Sequence, residues 1–539
     1  MIAPRVLRWW PGLALVALVV AASCYNLANY PVIWWDEAIF SETAANLVQH
    51  GRYAFTIQTP DQLSDLDYRI SVGPALILPV ALAYRLFGVS LTVGRVVAAL
   101  YLILTFGALF LCIRRLWDQK TAFLAVILAL VATDVLYWGR SVLGDIPALG
   151  LFLMGTWLIV AGMESRSLWP LFGGGIFLGL AFDAKEFYGI GFLPPLVLLF
   201  QEFWGDRRLL RRSLMAWGAG LALPLAGYLL LKVAILGSFS QAVAHFLEQK
   251  ALLRHEFFTP LTIGRIYPES VAYLLGHPLF WLGVLGFYWL WRVKGLSVGH
   301  RLWLGNFLVW SLLYLTAVYW HRFALPALFL AAGPAAWTVR RVGAGLLAPV
   351  AEATRRRVAG ALASLAALLF LPLAGIDNLT GVLSTHSNAP SRMLEFLQVR
   401  VPCESLIETP EYELAFLDDD HRIHLMPAFY FVESTEDRVV LLNPRMRQYD
   451  FDKTGADLLI LGSFGKSVFR QVYNPAQVAK NWQKVATVDF YDVYVRRGRE
   501  NLALRPSGPL LVNKRLPTAS GGALQRGHGA APVDNPYPH

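Results

Sequence analysis

Cysteine and charge are what this chain has least of. Three cysteines in 539 residues exclude a disulfide framework, and Cys24, Cys112 and Cys403 build no zinc-ligand spacing. Only 16% of residues are charged, against roughly 25% in a soluble domain, which excludes an ordinary water-exposed enzyme. Internal repeats, the mark of solenoids and of many transporters, are also lacking.

What is there is apolar surface. Hydrophobic residues make up 56% of the chain and the mean hydropathy is +0.47, an excess that a bilayer must cover. Stretches long enough to cross roughly 30 Å of hydrocarbon run over 10–30, 93–113, 122–137, 146–163, 168–182, 187–204, 214–236, 279–291, 303–320, 323–339 and 358–376. About eleven transmembrane helices are therefore expected. The net charge of +10 does not mark a nucleic-acid binder, because the basic residues fall in short clusters between apolar runs.

Those clusters set an orientation. With Arg5 and Arg8 in the cytoplasm, alternate loops carry Arg114, Arg115 and Lys120, then Arg166, then Arg207, Arg208, Arg211 and Arg212, then Arg292, Lys294 and Arg301, then Arg340, Arg341 and Arg355 to Arg357. Each lands inside, as the positive-inside bias requires. The expectation is a multi-pass protein of the cell (inner) membrane with a cytoplasmic N-terminus. The first stretch reads as an uncleaved anchor, although Ala21-Ala22-Ser23-Cys24 faintly resembles a lipoprotein cleavage site. The stretch 71–88 is short, broken by Pro74 and Pro79 and carries Arg85, so it reads as juxtamembrane helix in the interface. Pro194-Pro195 implies a kink, and Gly175 with Gly179 a close helix contact.

Three regions follow: a transmembrane domain over 1–376, whose first outer loop 31–92 holds the juxtamembrane helices; an extracytoplasmic α/β domain over 377–497; and a disordered tail over 498–539. In the second, strands are expected at 404–409, 422–425, 439–442, 458–461, 485–490 and 491–496, with helices at 410–417 and 475–482. This region carries no Gly-rich phosphate loop and no nucleophile elbow, so no catalytic role falls to it.

Ionisable groups at membrane depth are functional candidates, and four loops on one face hold them. Trp34-Trp35-Asp36-Glu37 follows the first span; its carboxylates suit a general base with an orienting group, half of a metal site, or the first turn of a helix. Arg140 and Asp145 bracket a second loop, where Asp145 is a sugar-hydroxyl acceptor, a second acid facing Asp36, or a helix cap, and Arg140 a snorkelling anchor. Asp183, Lys185 and Glu186 lie in a third and His321 and Arg322 in a fourth. Lys185 and Arg322 are either lipid headgroup contacts or a pair of donors on a phosphate.

Taken together, the early Asp-Glu loop, the Arg140…Asp145-Ile-Pro147 motif, Lys185 after a Gly-rich span and Arg322-Phe-Ala-Leu-Pro326 resemble the GT-C glycosyltransferases. Bacterial relatives of protein O-mannosyltransferases and lipid A aminoarabinose transferase are the branch it looks like. The resemblance implies transfer of a sugar, with inversion, from a polyprenyl-phosphate-sugar donor to an extracytoplasmic hydroxyl on a lipid, glycan or protein acceptor. It makes Asp36 the catalytic acidic residue, with Glu37 and Asp145 as further catalytic residues, and Lys185, Arg322 and Arg140 the donor-phosphate contacts. Many relatives have Lys/His-Pro-Pro in the first loop, where this chain reads Tyr68-Arg69-Ile70-Ser71-Val72-Gly73-Pro74; Arg69 is the candidate substitute. No cofactor and no metal is expected. The rival class is a multi-span lipid or solute transporter or flippase.

The orientation is directly testable. A reporter active only in the cytoplasm, fused after Arg496, should stay silent; signal there would mean that one span is miscounted, with 71–88 the first suspect.

Overall fold

A computed structural model of the chain describes residues 3–254, 268–316, 320–346, 380–384, 388–426, 432–435, 438–441 and 449–499. The expected span at 358–376, the arginines at 355–357 and the tail from 500 onward lie outside the described residues. The first part is helical: α1 (Ala3–Cys24), α2 (Trp35–Gln49), α3 (Pro74–Phe87), α4 (Leu91–Leu116), α5 (Gln119–Ala132), α6 (Val135–Gly139), α7 (Asp145–Ser165) and α8 (Leu168–Ala184). It continues with α9 (Leu193–Phe203), α10 (Arg207–Leu236), α11 (Phe239–Arg254), α12 (Pro268–Gly276), α13 (Pro278–Lys294), α14 (Val298–Thr316) and α15 (Leu325–Leu346). Side-chain caps mark the starts: Ser90 accepts from the Val93 N–H at 3.3 Å, Asp118 from Thr121 at 2.9 Å and Asp206 from Leu209 at 3.0 Å. Glycine in the left-handed region ends α10, where Gly237 has φ +83°.

Each of the ten expected spans that falls among the described residues contains helix there. Among the described residues, four helices are long and apolar enough to cross a membrane (within α4, α7, α10 and α15), or five if α12 and α13, bent by 66°, count as one. Others, including α5 and α8, are apolar but shorter, so the count of eleven exceeds what helix length alone supports. The 71–88 stretch forms α3, with Pro74 at its start and Gly88 at φ +87° after its end. It buries Leu76, Ile77, Val80 and Tyr84 and exposes Leu78, Leu82 and Leu86 at four-residue spacing, an apolar stripe suited to lipid.

Helix packing depends on missing side chains. A Cβ on Gly179 would lie 2.8 Å from the Leu221 carbonyl oxygen, and Cβ atoms on Gly175 and Gly220 would collide with the backbones at Trp217 and Phe172, so α8 and α10 touch backbone to backbone. The expected kink at Pro194-Pro195 is replaced by a junction. A 3-10 turn over Glu186–Phe192 precedes α9, and the prolines sit in the first turn of α9, where they forfeit no intrahelical hydrogen bond.

The later part alternates helices α16 (Ala389–Arg400), α17 (Tyr412–Leu417), α18 (Ser463–Lys466) and α19 (Pro475–Asn481) with strands. The strands are β1 (Ala54–Gln58) and β2 (Gln62–Asp65) from the first loop, then β3 (Leu406–Thr409), β4 (Arg422–Leu425), β5 (Val432–Thr435), β6 (Arg438–Leu441), β7 (Leu458–Leu461), β8 (Trp482–Val488) and β9 (Tyr491–Arg496). Seven form one mixed sheet in the order β2-β1-β4-β3-β7-β9-β8, and β5 pairs with β6 apart from it. Leu458 to Leu461 are all buried, as a central strand covered on both faces requires. The β1–β2 hairpin was not foreseen. It joins the sheet edge where Gln58 pairs with His424, and the Thr59 hydroxyl donates to the His421 carbonyl and accepts the Ile423 N–H. The first loop and the C-terminal region thus share a sheet.

Two buried acids lie where this sheet meets the helices. Burial pushes Glu411 up to about 7, and the N–H groups of Gly462 and Gly465 that it accepts, each at 2.8 Å, offset only part of that rise. Glu413 receives only the Tyr491 hydroxyl, at 2.7 Å, and burial with the Glu411 charge pushes it up to about 8. Its folded value lies above its unfolded one, so the folded state holds the extra proton and stability falls as pH rises from about 4.5 to about 8. Thermal unfolding followed by tryptophan fluorescence should show this slope in the wild type and a flatter one in Glu413→Gln, with the variant the more stable at pH 8.

Candidate active site

The site begins at the start of α2. Trp34 precedes the helix in an extended conformation, without a side-chain cap, and each of the next turns of the backbone sends a side chain in a different direction. Trp34 meets Trp138 at 5.6 Å and Trp320 at 5.4 Å between ring centroids. Trp35 stacks on Tyr412 at 4.9 Å and on Phe464 at 5.2 Å, both from the C-terminal region. Asp36 faces Arg322, whose Nη2 lies 2.8 Å from its Oδ2.

Arg322 comes from a 3-10 turn, His321–Ala324, that leads into α15. Its guanidinium carbon lies 4.6 to 5.6 Å from the ring centroids of Trp34, Trp138, Trp320 and Phe323, an aromatic box that suits a planar cation. Its side chain is 2% exposed, that of Asp36 16%. Beyond the Asp36 bond, Nε and Nη1 of Arg322 and the indole N–H groups of Trp34 and Trp138 have no hydrogen-bond partner. The arrangement is a buried set of unspent donors beside a reachable carboxylate, suited to binding an anion next to a base.

Two further candidates border it. Lys185 follows α8; its Nζ lies 3.4 Å from Ser71 Oγ and 5.7 Å from the Phe40 ring centroid, and Phe40 is one turn beyond Asp36 on the same face of α2. Asp145 opens α7 with both carboxylate oxygens buried and without a hydrogen-bond partner, while the Tyr188 hydroxyl donates to its backbone carbonyl at 3.1 Å. A Cβ on Gly144 would collide with the Ala184 carbonyl, so the Asp145 and Lys185 loops touch.

Three expected site residues have other partners. Glu37 forms a bidentate pair with Arg95 at 2.7 and 2.8 Å, both side chains fully buried, and also accepts the Val142 N–H at 3.1 Å. It belongs to the scaffold, because its oxygens are committed away from Asp36. Arg69 spends its donors on Asp67, the Tyr412 hydroxyl and the Met426 carbonyl and lies over the Phe55 ring, which ties the first loop to the C-terminal region. Arg140 donates to the carbonyls of Ala22 and Tyr25, the unsatisfied C-terminal carbonyls of α1. Neither arginine stands beside Arg322.

Sequence reading named His321 but missed Arg95 and the partners of His321, Tyr273 and Asp134. Arg95 signalled itself as a charge inside an apolar stretch, which demands a buried partner. His321 stacks on Tyr273 at 4.0 Å and has Nδ1 3.6 Å from Asp134 Oδ2; only folding brings these three together. Among the described residues, no group of three or more His, Cys, Asp and Glu is gathered closely enough to hold a metal ion.

The chain shares its fold with solved glycosyltransferases of the GT-C class. Residues 71–230 match the family model described as dolichyl-phosphate-mannose-protein mannosyltransferase. ArnT from Cupriavidus metallidurans bound to undecaprenyl phosphate superposes with a TM-score of 0.59 at 16% identity, over 92% of this chain and 98% of that one. The apo oligosaccharyltransferase of Archaeoglobus fulgidus gives 0.54 at 15% identity, over 78% and 65%. The AglB oligosaccharyltransferase of the same organism, in complex with an inhibitory peptide and a dolichol-phosphate, gives 0.52 at 13%, over 92% and 75%. No curated protein matches the chain. The apolar helices and the shared fold make this a membrane protein.

The scaffold assignment of Glu37 predicts a thermodynamic signature. Arg95→Met strands a buried carboxylate and should destabilise by about 3–5 kcal/mol, whereas the double variant Arg95→Met/Glu37→Gln should recover most of that loss in denaturation experiments. Turnover per folded molecule should stay within a few-fold of wild type in the double variant; a collapse there would return Glu37 to the chemistry.

Proposed function

We propose that this protein is an inverting glycosyltransferase that moves a sugar from a polyprenyl-phosphate-linked donor to the hydroxyl of a lipid, glycan or protein acceptor. The observation that carries the reading is the Asp36–Arg322 pair, with a reachable carboxylate on one side and unspent, buried donors on the other. The undecaprenyl phosphate in ArnT and the dolichol-phosphate in AglB, proteins of the same fold, support a lipid-phosphate donor.

The chemistry follows from the geometry. The acceptor oxygen attacks the anomeric carbon from the face opposite the phosphate, and its proton passes to Asp36. The bond from that carbon to the phosphate oxygen breaks, and the bonding pair leaves with the phosphate. A phosphate is a stable leaving group, so the demand falls on electrostatic stabilisation of the departing charge. Arg322, through Nε and Nη1, and Lys185 supply it from buried positions, where the local dielectric is low. Asp145 accepts a hydroxyl of donor or acceptor.

The reaction takes place on the extracytoplasmic face. Arg114 and Arg115 end α4, Arg207 to Arg212 start α10 and Arg340 and Arg341 lie late in α15; the positive-inside bias assigns these arginine clusters to the cytoplasm, and the Asp36 cluster lies toward the opposite ends of the helices.

Asp36→Asn keeps the shape and a hydrogen-bond acceptor for Arg322 but cannot take the proton. Turnover should fall about a hundredfold or more while the affinity for polyprenyl-phosphate-sugar stays within a few-fold. Near wild-type turnover would remove Asp36 as the base. Arg322→Ala should instead weaken donor binding by about tenfold or more, as expected for a lost charge-assisted contact.

A further inference from the structure

Outside the Asp36–Arg322 centre, one pair of charges is buried without being joined. Asp183 lies in the last turn of α8 and Lys232 near the end of α10, one turn before Gly237. They are 4% and 3% exposed. Asp183 Oδ1 and Lys232 Nζ have no hydrogen-bond partner, and among the described residues no ion pair engages either. Each is nonetheless the charge that acts most directly on the other. A pair that served only to hold α8 on α10 would close to contact, because burying two charges costs more than their attraction returns unless their geometry is good.

The surroundings are those of a ligand subsite. Lys232 Nζ lies 4.7 Å from the Tyr228 ring centroid and 5.5 Å from that of Phe246 on α11. A Cβ on Gly73 would collide with the Asp183 carbonyl oxygen and lie 3.3 Å from Tyr228 Cε1, so the first loop packs its backbone directly on the end of α8 beside the pair. Ser71 meets Lys185 and Gly73 meets Asp183, which puts the pair one step along the same loop contact from the candidate phosphate donor.

The two charges select the ligand. A free anion is repelled by Asp183 and a free cation by Lys232. A neutral group that both donates and accepts satisfies both, as adjacent sugar hydroxyls do, one donating to the carboxylate and the next accepting from the ammonium. We infer that Asp183 and Lys232 form the subsite that recognises the hydroxyls of the donor's sugar, while Lys185 and Arg322 hold its phosphate. This rests on the transferase reading above.

The test uses the full chain in nanodiscs and the double variant Asp183→Asn/Lys232→Met, which removes both charges and leaves neither stranded. The probes are undecaprenyl-phosphate-linked mannose, glucose and arabinose, and bare undecaprenyl phosphate. The wild type should bind the best of the three sugar-linked lipids about tenfold or more tighter than the bare lipid, the scale of a lost hydrogen bond to a charged group. The double variant should lose that margin and bind the bare lipid as the wild type does. A margin that survives in the variant, a wild type with no margin, or an equal fall for bare and sugar-linked lipid would overturn the subsite, the last because it marks a phosphate site. A wild type that binds no polyprenyl phosphate of any kind would overturn the transferase reading as well.

Discussion

The buried Glu37–Arg95 pair is the constraint on which the candidate site depends. Neither side chain reaches solvent, and the pair persists because each guanidinium nitrogen and both carboxylate oxygens are engaged: two bonds between the partners, one from Arg95 to the Leu27 carbonyl and one from the Val142 N–H to Glu37. Those four contacts join the end of α1, the start of α2, α4 and the loop before α7. Removing any of them leaves a charge or a polar group stranded in a medium that cannot solvate it. With Glu37 locked, the rotation of the first turn of α2 is set, and Asp36, one residue earlier, must point toward Arg322.

A second lock acts from the sheet side. Trp35 is held between Tyr412 and Phe464, and Tyr412 in turn receives a hydrogen bond from Arg69 of the first loop. The C-terminal region therefore touches the residue adjacent to the proposed base. It supplies no group to the chemistry described here; its contribution is stacking area and the sheet edge on which the first-loop hairpin rests. Such positioning matters because a base displaced by an ångström loses much of its effect.

In the proposed reaction Arg322 would serve both as anchor and as electrostatic donor. Its box of aromatic rings keeps water away while the ring faces offset part of the cost of burying the cation. One donor goes to Asp36 and the rest remain for a ligand, so the field at the site is assembled before any substrate arrives.

Much of this was legible in the chain itself. Apolar runs located most of the long described helices, such as α4, α7 and α8, because a bilayer enforces length and hydropathy directly, whereas α2 and α12 carry no such run. Strands such as Arg422–Leu425 and Leu458–Leu461 were readable from their composition. The loops carrying Asp36, Asp145, Lys185 and Arg322 could be assigned to one end by counting spans. What sequence order cannot encode is which charge meets which. Glu37 and Asp36 are neighbours with the same chemistry, yet the 100° step of a helix sends one into a buried pair with Arg95 and the other toward Arg322. Arg69 and Arg140 look like candidates for a phosphate until folding shows their donors spent on Asp67 and on the end of α1. Asp183 and Lys232, 49 positions apart, become neighbours only because Gly175, Gly179 and Gly220 let two helices close together. Burial and hydropathy are properties each segment carries alone, and the sequence determined them; the pairing of charges depends on distances between segments, and only the tertiary structure decided it.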